Sequence, residues 1–430
     1  LFRDHIDRLE REYARALDAA GFDAVVIHSG RPALQSSFDD QHWPHRPTPY
    51  FLHWAPLREP DAAIVIVPGR RPRLVRVDTG DYWEGSAPVD GDHFWNAFDL
   101  VVANTANAAA REAPAGRVAF LGDDAARADA WGIAPGARNP AALVRALDAV
   151  RAVKSPYERA CIAEANRRAA PGHAAVAEAF AAGERSELAL HLTYLQATGQ
   201  DDADTPYKNI VAIGHHAAIL HHVHYAREHR GAAASLLVDA GATCFGYHAD
   251  ITRTHVAGSG AAADGFRALI AAVEALQQQL CLRARAGVAF EHLHDEAHAL
   301  LAQALVDLDL AVGPADALVD TGITRAFFPH GLGHSLGLQT HDVGCRPTAP
   351  RTDNPYLRTT AVLRDGHVVT IEPGCYFIAK LLRPVRASEH AALVRWNAVD
   401  AIAPFGGVRI EDDIAIVGDA PHNLTRPALG

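Results

Sequence analysis

The sequence predicts an α/β (α+β) chain of two successive domains, residues 1–155 and 156–430. Three observations predict it. Helix-like and strand-like segments alternate up to about residue 145, the pattern of a compact α/β unit. Ser155-Pro156 then breaks a long helical stretch, with serine as a good cap and proline suited to a first helical turn. Beyond that break, apolar strands alternate with alanine-rich helices to the last residue. A chain of 430 residues also suits two or three domains.

Taken in order, "LFRDHIDRLEREYARALDAAGF" mixes charged and apolar residues at helical spacing. It lacks the uninterrupted apolar core of a signal peptide. "DAVVIHSG" and "AAIVIVPG" read as short buried strands ending at glycine turns. "VVANTANAAAREAPAGRVAFLGDD" reads as helix, turn and strand. Between the first two strands, "SSFDDQHWPHRPTPYFLHW" is too irregular for either element; it reads as a functional loop or as a surface excursion packed by its own side chains. A new helix starts at Pro156. "SLLVDAGATCFGYHADITRTHV" looks like a hairpin turning near Cys244 and Phe245, a register that would set Asp239 directly opposite Asp250.

Composition narrows the function. Hydrophobic residues make up 49% and charged residues 21%, with a net charge of −11, which offers nucleic acid or an anionic membrane no electrostatic attraction. No stretch approaches the roughly 18 apolar residues of a membrane span. Cys161, Cys244, Cys281, Cys345 and Cys375 are scattered and odd in number, the pattern of reduced thiols in a cytoplasmic protein.

The chemistry-bearing residues gather in the second half. "FFPHGLGHSLGLQTHD" holds His330, His334 and His341. Two histidines four apart suggest the helical H-E-x-x-H of a zincin, but Gly331 and Gly333 lie between them and no glutamate follows His330. Asp239 and Asp250, brought close by a hairpin, would repel as bare anions and call for a cation or a shared proton. Glu372 interrupts the apolar run of "HVVTIEPGCYFI". In "GGVRIEDDIAIV", Arg409, Glu411 and Asp413 alternate with Val408 and Ile410 along a strand. Each acid alone could be a turn cap or an edge contact. Charges inside apolar strands are seldom buried unless paired or metal-bound, and four of them beside a histidine-rich loop point to metal.

The settings "VDAG", "ADITRT", "HGLGH", "TIEPG" and "RIED", in that order, resemble the pita-bread metallopeptidases. "RAVKSPYERACIAEAN", "PYKNIVAIG", "AAILHH", "GLGHSLGLQTHDVG", "NPYLR" and "GGVRIEDDIAI" are similar to the bacterial Xaa-Pro dipeptidase (prolidase) branch, close to the organophosphorus acid anhydrolases. "VVIHSG" and "FDDQHWPHRPTPYF" extend the resemblance over nearly the whole chain. It implies an N-terminal creatinase/prolidase-like domain followed by a pita-bread catalytic domain.

By that resemblance Asp239, Asp250, His334, Glu372 and Glu411 hold two divalent ions, with Asp250 and Glu411 bridging. Such an oxygen-rich cage suits Mn2+, with Zn2+ or Co2+ as alternatives. A metal-bridging hydroxide would attack the peptide bond before a C-terminal proline, with Glu372 moving the proton. His221, His330 and His341 would bind the substrate's carboxylate and the developing oxyanion. Arg409 would orient carboxylates, and Tyr207 would edge the pocket. His222 and His224 read as surface or rim histidines. The loop around Phe38, Asp39 and Asp40, joined by Trp83, would close the site across a homodimer. A side activity on organophosphorus triesters is expected. The rival readings are an aminopeptidase P acting on longer peptides and a pita-bread binding module without catalysis.

Overall fold

The computed structural model describes residues 1–80, 92–229, 231 and 234–430. The chain divides into two compact units, 1–151 with 155–157 and 152–154 with 158–430.

In the first unit, five short strands form one mixed sheet. They are β1 (Ala24–His28), β2 (Ala63–Ile66), β3 (Arg73–Val77), β4 (Asp99–Ala103) and β5 (Val118–Leu121), in the order β4-β3-β2-β1-β5. β1 pairs antiparallel with β2 and parallel with β5. Every residue of β1 and β2 is buried, which is why both read as unbroken apolar runs. The helix Phe2–Ala20 buries Ile6, Leu9, Tyr13 and Leu17 at three- and four-residue intervals and ends at Gly21 in the left-handed conformation. "VVANTANAAA" begins as β4 and only later turns helical at Ala106–Ala109, so the expected order there is corrected.

The helix Pro156–Ala181 starts at the expected proline and, from Glu158 on, belongs to the second unit. Its strands are β6 (Ile210–Ile213), β7 (Ser235–Asp239), β8 (Thr243–Cys244), β9 (Tyr247–His248), β10 (Thr252–Val256), β11 (Val368–Ile371), β12 (Gly374–Tyr376), β13 (Gly407–Arg409), β14 (Asp412–Val417) and β15 (Ala420–Asn423). They pair as β10-β7-β6, β11-β14-β15, β12-β13 and β8-β9, all antiparallel. Behind them, the helix Ala261–Arg283 presents Phe266, Leu269, Val273, Leu276 and Leu280 as one apolar stripe. The helix Phe290–Asp307 adds Leu293, Ala297, Leu301 and Leu305. Burying each large side chain contributes roughly 1.5–3 kcal/mol, and this core anchors the strand ends that carry the site.

Two register expectations change. β7 and β10 pair with Asp239 opposite Thr252, not Asp250. The turn falls at Phe245-Gly246, with φ of 51° and 84°, the positive pair a two-residue hairpin turn requires. The shift is even, so both aspartates keep the same face. "GGVRIEDDIAIV" is also two strands, β13 and β14, interrupted where Glu411 bridges to Thr252.

Candidate active site

The glycine-rich loop is not helical. It lies along β11 as an extra strand: Glu372 N–H donates to Leu332 O (2.8 Å), Thr370 N–H to His334 O (2.9 Å) and Leu336 N–H to Val368 O (3.0 Å). Gly333 makes this approach possible, because a Cβ there would sit 2.0 Å from Thr370 O. His334 and Glu372 are thereby held side by side at the end of β11. Asp239 ends β7, Asp250 precedes β10, and Glu411 meets Thr252 at the start of β10.

Five sequence-selected groups converge there. Ligand atoms of Asp250, His334 and Glu411 all lie within 4.8 Å of one another. His334 Nδ1 donates to Ser335 O (3.1 Å), which turns Nε2 toward Asp250 Oδ2 at 3.4 Å and Glu372 Oε1 at 3.5 Å. Arg409 Nη2 meets Asp239 Oδ2 at 2.5 Å. Tyr207 donates its hydroxyl to Asp250.

The donor set fits divalent cations. Burial pushes Asp250 well above the usual carboxylate range, and the neighbouring Asp239 adds to it. Burial does the same to Glu411, reinforced by Asp250, Glu372 and Asp239. Glu372 is pushed up to about 7 by burial, against the pull of His334 and Arg409. One guanidinium does not balance four clustered carboxylates, and Asp239 Oδ1 is buried with no hydrogen-bond partner. Cations at this point would relieve both conditions.

The remaining residues separate into groups. His330 is half-buried and neutral, its pKa lowered to about 3 by desolvation first and then by Arg409. Both of its nitrogens are engaged, Nδ1 with Gly331 O (2.8 Å) and Nε2 with Tyr376 OH (2.7 Å). His341 stands edge-on to His334 at 4.5 Å. His221 is exposed, yet near enough that its charge helps to lower the pKa values of His330 and His341. Asp40 belongs to the first unit, on an exposed stretch beside Phe38. Trp83 lies outside the described residues. His222 is corrected: it is buried and bonded to Glu187 at 2.8 Å, whereas His224 is exposed as expected.

Several groups were missed. Thr252 Oγ1 donates to Glu411 Oε2 (2.6 Å), and its alternation with Asp250 was the available signal. Tyr376 OH accepts from Arg409 (3.1 Å), extending a chain from Asp239 to His330. Asp413, singled out in the sequence but given no role, accepts from Asp250 N–H (3.1 Å) and from Asn166 (2.8 Å), which places it behind the cage. Lys154, 1% exposed, pairs with Asp342 at 3.0 Å and ties down the loop between His334 and His341. A lone lysine in the apolar "AVRAVKSP" was its only trace.

Comparison with known proteins agrees with this geometry. Residues 160–417 match the profile of metallopeptidase family M24, and residues 1–148 match that of the Xaa-Pro dipeptidase N-terminal domain. The Xaa-Pro dipeptidase of Xanthomonas campestris pv. campestris (strain B100) is 41% identical over 439 residues, spanning 100% of this chain and 98% of the relative. That of Stenotrophomonas maltophilia (strain K279a) is 40% identical over 441 residues, spanning 100% and 97%. Escherichia coli aminopeptidase P with the inhibitor Pro-Leu superposes with a TM-score of 0.72 at 23% identity, over 97% of this chain and 95% of that one. Proline aminopeptidase P II from Yersinia pestis gives 0.71 at 24%, over 97% and 96%. These two likenesses carry the fold alone. With its sequence matched from end to end and its acids gathered as a metal cage, the chain belongs to metallopeptidase family M24, the pita-bread enzymes, in the branch of the Xaa-Pro dipeptidases.

Proposed function

We propose that this protein hydrolyses Xaa-Pro dipeptides before the C-terminal proline. The observation that carries the reading is the buried convergence of Asp250, His334 and Glu411, with Asp239 and Glu372 beside them. Those five residues hold two divalent ions, of which the oxygen-rich donor set favours Mn2+ over a thiolate-seeking metal. When bound, the ions supply an activated water and Lewis-acid polarisation of the scissile carbonyl. The catalytic work belongs to residues 156–430, with 1–155 as a separate N-terminal domain.

The chain's own groups handle protons and orientation. Glu372, held beside His334 at the end of β11, accepts the proton of the attacking water at a carboxylate oxygen and passes it to the proline nitrogen as the C–N bond breaks. That nitrogen is a tertiary amide with no N–H of its own, so the proton must be brought to it. Arg409 fixes Asp239 and, through Tyr376, His330. His221 and His341 stand at the rim, where a dipeptide's carboxylate and the oxyanion need donors. Tyr207 orients Asp250.

A free C-terminal carboxylate and a closed site restrict the substrate to dipeptides. Phe38 is 99% exposed and Trp43 58%, apolar surface suited to a second copy. This exposure supports a homodimer in which the Phe38–Asp40 loop caps the partner's site; Trp83, the other residue expected there, lies outside the described residues. The five cysteines are all free and buried, which supports a reducing cytoplasmic setting. The same activated water would attack phosphorus in organophosphorus triesters as a side activity.

Assaying Leu-Pro against Leu-Pro-Ala decides between this reading and an aminopeptidase P, the type that the solved folds resemble. Hydrolysis of Leu-Pro alone is expected; release of leucine from the tripeptide only would overturn the choice. Fully metal-loaded protein that cleaves neither would instead be a binding module.

A further inference from the structure

Outside the cage, one carboxylate organises a whole loop. Glu187 is fully buried in the first turn of the helix Glu187–Thr198, which Ser186 caps. Its Oε1 accepts from Ile213 N–H (2.8 Å) and His216 Nδ1 (2.7 Å), and its Oε2 from His222 Nε2 (2.8 Å) and Ala226 N–H (2.7 Å). The His216 and His222 rings stack at 4.4 Å. Leu188 N–H also donates to Ala226 O at 3.3 Å. The chain thus leaves the carboxylate at the end of β6, runs through 214–225, and returns to it.

A carboxylate offers about four lone-pair sites, and four donors fill them here. Distances of 2.7–2.8 Å are those of charge-assisted hydrogen bonds. An ion shared by both imidazoles would need those nitrogens about 2.0–2.1 Å from itself, and no lone pair of Glu187 is left to join it. The cluster is therefore read as a clamp on the chain from Ile213 to Ala226. What it clamps is the segment bearing His221, the residue next to His222 and the exposed one of the two.

We propose that Glu187 is a positioning residue for the reaction: by gripping Ile213, His216, His222 and Ala226 it fixes the loop that aims His221 at the metal cage. This rests on the dipeptidase reading above. Between Ile213 and Ala226, only the turn Gly214–Ala218 is regular; Tyr225, whose hydroxyl donates to Asn209 O, holds the far end, and Glu187 is the group that ties both ends and the middle together. Side chains held by such supporting bonds keep catalytic geometry, and loosening them misplaces the group they carry.

The test is a double-mutant cycle on the metal-loaded enzyme with Leu-Pro as substrate. Glu187→Gln is expected to lose on the order of tenfold in kcat/KM, the scale of one hydrogen bond to a charged group, with bound ions per chain unchanged. In a His221→Ala background the same change is expected to cost almost nothing more, because the route through His221 is already gone. An equal loss in both backgrounds would make Glu187 merely structural and overturn the proposal. So would a third bound ion in the wild type that Glu187→Gln removes. Should Glu187→Gln fail to fold, His222→Phe takes its place with the same pattern expected, and His222→Gln, which keeps an N–H donor, should restore activity. A wild type without Xaa-Pro hydrolysis would sink the dipeptidase reading alone. The clamp would then be read from hydrogen exchange, with the Ile213 and Ala226 amides expected to exchange faster in Glu187→Gln; unchanged exchange would overturn it.

Discussion

Arg409 and Asp239, 170 residues apart in sequence, meet at 2.5 Å with the arginine 4% exposed. The guanidinium is the cage's internal counter-charge. Arg409→Met should destabilise the metal-free protein by about 3–5 kcal/mol, the cost of breaking a buried pair from one side. Urea unfolding measures it, and an unchanged midpoint would show that the pair is dispensable. Added Mn2+ should recover part of the loss, because it neutralises the same carboxylates.

Asp250 lies within 4.8 Å of both His334 and Glu411 in its ligand atoms and is proposed to bridge the two ions, so Asp250→Asn should release both together. Metal analysis after dialysis is expected to find close to none per chain and activity at background. Retention of two ions would refute its bridging role.

Chelation should abolish hydrolysis and Mn2+ should restore it. Removal should also lower the thermal midpoint, since ions bound only to the folded state stabilise it in proportion to the logarithm of their concentration. A chelated protein with full activity would contradict the metal mechanism.

Lys154→Met leaves Asp342 buried without its ammonium and should cost several kcal/mol, whereas Lys154→Met with Asp342→Leu should cost much less. Equal costs would mean that the ion pair is not what holds the loop. The single variant should also lose activity, as the loop carrying His334 and His341 is freed at its base.

Buried histidines should set the acid limit of stability. Burial lowers His28 and His294 to about 4 and His298 to about 3. These rings bind protons more readily when unfolded, so their contribution is complete above pH 6.5 and is lost as pH falls toward 4. The urea midpoint should decline across that window, and His298→Phe should flatten the decline. The buried carboxylates of the cage act in the opposite sense over the same range, so the readout is the difference between variants: identical slopes in the wild type and His298→Phe would remove that ring from the account.

Much of this was legible in the sequence, for identifiable reasons. Asp239, Glu372 and Glu411 stood out because each interrupts an apolar run, and a buried strand advertises any charge it contains. Pro156 marked a helix start because its ring suits only a first turn there. The hairpin register was not legible. Cys244, Phe245 and Gly246 permit two turns, and the positive φ of Phe245 decides between them only in the folded chain. His222 was misplaced because nothing near it in sequence shows that Glu187, 35 residues earlier, waits beneath it. Thr252, Tyr376 and Lys154 act through partners more than 30 residues away, which no local pattern encodes.

The separations that join Thr252 to Glu411 and Asp239 to Arg409, 159 and 170 residues, have a kinetic consequence. Strand ends so remote must pay their loop-closure entropy before any ligand set exists. A divalent ion cannot therefore seed collapse of a nascent chain. It can only lock a domain whose distant strands have already found one another, so refolding rates should be indifferent to the ion while unfolding slows in its presence.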